Sequence, residues 1–152
     1  MKTIKKKFPA LSLLSICVAL FSFSSPSGGE GFEIYLNNHL VVQQFGKDMN
    51  NVKSLPLDAN SYNGQLSVKY YHCGKVGKNR EITIRDEHNN LLKEWRFTDG
   101  SDATMNCPVN EILGLQKTKN SNALNLYYSS IELSKERLLV TIVKTYNGQT
   151  KP

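Results

Sequence analysis

The chain has 152 residues, enough for one domain with its own core and too few for a second of ordinary size. Nineteen Lys+Arg against thirteen Asp+Glu give a formal charge of +6 and an isoelectric point near 9.2, a balance that would suit a nucleic-acid binder. The position of the basic residues removes that reading, because four of the nineteen are Lys2, Lys5, Lys6 and Lys7.

These lysines precede Phe8 to Phe23, a stretch without a charged residue, after which small residues gather at Ser22, Ser24, Ser25, Ser27, Gly28 and Gly29. The layout is that of a secretory signal peptide, expected over residues 1–27 with cleavage near Ser24 or Ser27. A retained anchor fits poorly, since the apolar run is shorter than the ~20 residues a bilayer core requires and is interrupted by serines. Lipidation at Cys17 fits poorly too, because bulky Ile16 stands where a small residue should precede the modified cysteine. The expected destination is secreted, periplasmic or cell-envelope, with no membrane span after signal removal. From Gly28 onward fifteen Lys+Arg face thirteen Asp+Glu, a balance of +2, so no nucleic-acid partner is expected.

Residues 28–31 read as a short linker, and from Phe32 the apolar pattern has period two, the sign of strands with one face to the core. Phe32, Ile34 and Leu36 alternate with Glu33, Tyr35 and Asn37; then Asn37-Asn38, a pair tolerant of positive φ, turns the chain into His39 to Phe45. A first hairpin is expected there. Val52 to Leu57 is a short apolar stretch whose Pro56 lacks a ladder donor and so belongs on a sheet edge. After Asn63-Gly64, Gln65 to Cys73 alternates again, with Leu66, Val68 and Tyr70 on one side and Ser67, Lys69 and Tyr71 on the other.

Glu81 to Arg85 and Leu91 to Phe97 flank the turn Asp86 to Asn90 as a second hairpin, in which Trp95, the single tryptophan, reads as a core anchor. Ala103 to Val109 reads as a short strand carrying Met105 and Cys107. Glu111 to Gln116 is either one helical turn or an irregular crossing. Leu124 to Leu133 and Leu138 to Tyr146 form a third hairpin, and residues 147–152 a polar tail. The expected fold is all-β: a small antiparallel β-sandwich over residues 32–146, with about eight strands, three hairpins and at most one short helical turn.

With Cys17 in the signal, the exported chain keeps Cys73 and Cys107, and an oxidising compartment predicts a disulfide between them. Such a crosslink would contribute about 3 to 4 kcal/mol in the chain-entropy model. Metal candidates are weak, and no bound metal or other cofactor is expected: His72 and Met105 lie near the cysteines, and Asp99-Gly100-Ser101-Asp102 offers too few oxygens for calcium. No nucleophile elbow, zinc-protease or phosphate-loop motif occurs, so no catalytic residue is expected. Seven tyrosines are many for this length, and Tyr35, Tyr71 and Tyr127 fall opposite the apolar face of their strands, where rings can contact a partner. The function these features suggest is non-catalytic binding to an envelope component or protein, with a glycan as a possible ligand. The alternative is a small exported metal or redox protein using Cys73 and Cys107.

Overall fold

A computed structural model describes residues 29–145; the expected signal peptide and polar tail fall outside the described residues. Nine strands and one helix follow in the order β1 (Gly31–Leu36), β2 (His39–Phe45), β3 (Lys53–Leu57), β4 (Gln65–Tyr71), β5 (Arg80–Arg85), β6 (Leu91–Phe97), β7 (Thr104–Pro108), α1 (Val109–Lys119), β8 (Ala123–Ser129) and β9 (Arg137–Lys144). They form a four-stranded sheet, β2-β1-β4-β7, and a five-stranded sheet, β3-β9-β8-β5-β6. The fold is a β-sandwich, as the period-two pattern predicts.

The alternation sets which face is buried. Phe32 and Ile34 of β1, Leu66, Val68 and Tyr70 of β4, and Met105 and Cys107 of β7 meet Ile82 and Ile84 of β5, Leu124, Leu126 and Tyr128 of β8, and Val140 and Ile142 of β9 in one core. Trp95 and Phe97 pack at its margin, so the tryptophan does serve as an anchor. At the first hairpin Asn37 and Asn38 take φ of 51° and 67°, the double left-handed turn that matches strand twist.

Three features depart from expectation. The pairing is not wholly antiparallel: β3 lies parallel to β9, with Lys53 opposite Val140 and Leu57 opposite Lys144. Pro56 does sit on the sheet edge, because β3 is an outermost strand. Second, the segment expected to hold at most one helical turn forms an eleven-residue helix. Its buried residues Val109, Ile112 and Gln116 have helical spacing, but Gly114 and the polar Gln116 conceal the stripe in sequence. Asn120 ends it in the left-handed conformation, and the Ser121 amide closes onto the Gln116 carbonyl at 3.0 Å. From β7 the helix crosses to the other sheet, joined to β6 by Lys93–Glu111 at 2.7 Å and to β9 by Gln116 Nε2 donating to the Ile142 carbonyl at 3.4 Å.

The third departure concerns the cysteines, which are unpaired. Cys107 faces the core opposite Leu66, near the start of β4, whereas Cys73 is exposed in the turn beyond its far end. Seven residues of extended chain separate those levels by roughly 20 Å, and a disulfide needs Cα atoms within about 7 Å. In this fold the two thiols stand apart and free.

Candidate functional site

Residues paired across antiparallel strands share a face, so register identifies the side chains on the outer surface of the four-stranded sheet. Glu33 lies opposite Gln43 on one side and Lys69 on the other. Tyr35 lies opposite Ser67, which in turn lies opposite Asn106. Gly31 lies between Phe45 and Tyr71. Together these residues form a polar face with three aromatic rings.

Glu33 is its centre. Its Oε2 accepts from the Tyr35 hydroxyl at 2.8 Å and the Tyr71 hydroxyl at 3.3 Å, while Oε1 accepts from Gln43 Nε2 at 2.9 Å. Lys69 Nζ stands 5.1 Å from the Tyr35 ring centroid, within cation–π range. Ser67 Oγ and Asn106 Oδ1 are 2.6 Å apart and extend the polar surface to β7. The hydrogen bond to Glu33 holds the Tyr35 phenol above its ordinary pKa; burial followed by the Glu33 charge does the same for Tyr71. Both phenols thus remain protonated donors through neutral pH.

Gly31 has a separate role. A Cβ there would overlap the Phe45 ring, so the absent side chain lets that ring lie across β1 toward Tyr71. The arrangement also repairs the packing defect that a glycine leaves in a strand.

Of the three tyrosines predicted as binding residues, Tyr35 and Tyr71 come together on this face. Tyr127 does not: it lies on the five-stranded sheet opposite Thr83, with the Arg85 guanidinium 5.8 Å from its ring centroid. Sequence alternation could place Glu33 beside Tyr35, and Lys69 beside Tyr71, but not join the two strands. It also missed Gly31, Phe45 and Gln43, whose relevance depends wholly on register.

The weak metal candidates are dispersed. Met105 is fully buried opposite Val68, whereas His72 lies four residues further along, beyond the end of β4. Asp99 Oδ1 accepts from the Asn79 amide at 2.7 Å, and Asp102 Oδ1 from the Thr104 amide at 2.8 Å. Arg80, only 3 % exposed, donates to the Asp102 and Thr98 carbonyls, both at 2.8 Å. Arg80 thus ties down the backbone at both ends of the acidic loop.

His72 instead joins the sheets. Its Nε2 lies 3.0 Å from the Tyr128 hydroxyl and 3.1 Å from Ser130 Oγ. Gly77 closes the cluster, since a Cβ there would come within 2.8 Å of that nitrogen and 2.5 Å of the tyrosine oxygen. A separate groove of about 530 Å³ runs beside α1, between Leu113 and Lys117 on the helix and Leu57, Ala59 and Tyr62. None of the residues predicted from sequence lines it.

Neither protein-family models nor curated proteins match this chain. Among the described residues, no helix is long and apolar enough to cross a membrane.

Proposed function

We propose that the protein is an exported binding domain that engages a component of the envelope or medium through the outer face of its four-stranded sheet. The observation that carries this reading is the convergence of the Tyr35 and Tyr71 hydroxyls on one Glu33 oxygen, with Gln43 on the other. Side chains already fixed to one another lose little rotational freedom when a partner arrives, so such a face binds at lower entropic cost than a mobile one. Export rests on the charge and apolar pattern of residues 1–27.

The test places a photoreactive phenylalanine analogue at Lys69 or, as a control on the opposite sheet, at Thr141, in cells of the native host. Adducts from position 69 alone support the reading. Equal adducts from both positions, or none from position 69, would reject it. The mass of the purified mature chain should begin between residues 25 and 28; an intact Met1 would reject export.

A further inference from the structure

We infer that the ligand of this face is a neutral polysaccharide, its sugar rings stacked on Phe45 and Tyr71 and its hydroxyls bonded to the Gln43–Glu33–Lys69 row. The inference rests on the binding role proposed above and specifies its ligand class.

Sugar recognition needs two kinds of surface at once. A pyranose has apolar C–H faces, which pack on flat rings, and a rim of hydroxyls, which need planar donors and acceptors at the same height. Phe45 and Tyr71 lie two strand spacings apart, about 10 Å, with Gly31 between them and the Phe45 ring laid across the gap. One residue pair further along lie an amide, a carboxylate and an ammonium: Gln43, Glu33 and Lys69. Ser67 and Asn106 add a hydroxyl and a second amide in the following pair.

Charge and composition select among partners. Glu33 and Lys69 offset each other at the centre, which leaves no net field to attract an anionic polymer. Protein interfaces, by contrast, concentrate aromatic residues at a core depleted of Glu, Lys and Ser. This face sets Glu33, Lys69 and Ser67 directly among its rings, with Ser67 opposite Tyr35 and Lys69 over the Tyr35 ring, a mixture unlike that pattern. A sheet face without walls also suits a polymer lying across it better than a single sugar held in a pocket.

Affinity electrophoresis of the mature protein in gels containing xyloglucan, mannan, β-1,3-glucan or alginate tests the proposal. Retardation by at least one neutral polymer and not by alginate is expected. Tyr71→Ala and Phe45→Leu should each weaken it by roughly tenfold, Tyr71→Phe, which keeps the ring but loses the hydroxyl held by Glu33, should weaken it less than Tyr71→Ala, and Tyr127→Ala, on the other sheet, should bind nearly as wild type. Thermal melts of each variant identify any loss due to unfolding. No retardation by any neutral polymer, while crosslinking from position 69 persists, would overturn the sugar assignment and leave the binding face standing. Retardation that survives both Tyr71→Ala and Phe45→Leu in folded protein would overturn the placing of the sugar on this face, and retention by alginate alone would overturn the neutral ligand.

Discussion

Tyr70 and Tyr128, one from each sheet, stack with ring centroids 4.1 Å apart and planes inclined by 16°. Both are fully buried, and each hydroxyl reaches a polar group at the margin of the core: Tyr70 donates to Glu30 Oε1 at 2.6 Å, and Tyr128 contacts His72. Glu30 is also paired with Arg137 at 3.1 Å. Tyr70→Phe should cost about 1–3 kcal/mol, the range for removing a hydrogen bond to a charged group and leaving it poorly satisfied. Tyr70→Ala should cost about 3–5 kcal/mol, because the stacked ring is lost as well. Urea unfolding followed by circular dichroism measures both, and equal effects would mean that the ring contributes nothing beyond its hydroxyl.

The same pair sets the alkaline limit of stability. Burial raises the pKa of both phenols, and the Glu30 hydrogen bond raises Tyr70 further. In the unfolded chain a tyrosine ionises near pH 10. A raised folded value means stability fully present below that pH and lost as pH rises above it, since only the unfolded state releases the proton. Absorbance at 295 nm should therefore show a late group of tyrosines ionising together with the loss of far-ultraviolet dichroism. Smooth ionisation of all seven before unfolding would contradict this.

Thiol reactivity separates the two cysteines. Cys73 is exposed, whereas burial and then the nearby Glu111 charge push Cys107 up to about 12. Iodoacetamide at pH 8 should modify Cys73 in the native protein and Cys107 only after denaturation. A non-reducing mass two hydrogens lower, with neither residue labelled, would restore the disulfide read from sequence.

Gln116 is 2 % exposed, and its Oε1 has no hydrogen-bond partner. A buried acceptor in that state costs about 1–3 kcal/mol, more than the long bond from its Nε2 returns. Gln116→Met, similar in shape and apolar, should leave stability unchanged or raise it by about 1 kcal/mol, seen as a higher melting temperature. A fall of that size would show that the amide is needed to hold α1 against β9.

On the acid side, the turn between β5 and β6 depends on Asp86. Its Oδ2 accepts from Asn90 Nδ2, and its Oδ1 from the Asn90 and His88 amides, bonds that hold the carboxyl below its ordinary value. A depressed value gives stability that is present above the unfolded pKa, about 3.9, and lost as pH falls through the folded one. The difference in melting temperature between wild type and Asp86→Ala should be largest above pH 5 and shrink below pH 3. A difference independent of pH would assign the effect to turn conformation rather than to charge.

Much of this architecture is legible in residue order, and the rest fails for identifiable reasons. Alternation places Phe32 and Ile34 inward and Glu33 and Tyr35 outward because side-chain direction in a strand is a local property. Partner choice is not local. The parallel pairing of β3 with β9 and the wide separation of Cys73 from Cys107 follow from which strands become neighbours. The candidate face divides the same way: its tyrosines were visible singly, whereas the overlap of Phe45 with Gly31 exists only once β1 and β2 have registered. The full length of helix α1, beyond the single turn that Glu111 to Gln116 suggests, is concealed because one of its three buried positions is a glutamine.

The parallel edge also governs the order of assembly. Lys53 pairs with Val140, so β3 is synthesised 87 residues before the strand it needs, and β9 must fit between it and β8. A nascent chain that has emerged only as far as α1 contains every strand of the four-stranded sheet but cannot close the five-stranded one. Such long-range closure slows folding. Under the export proposed above, a polypeptide that stays open until its last strand arrives is also one that a translocation channel can thread before it locks.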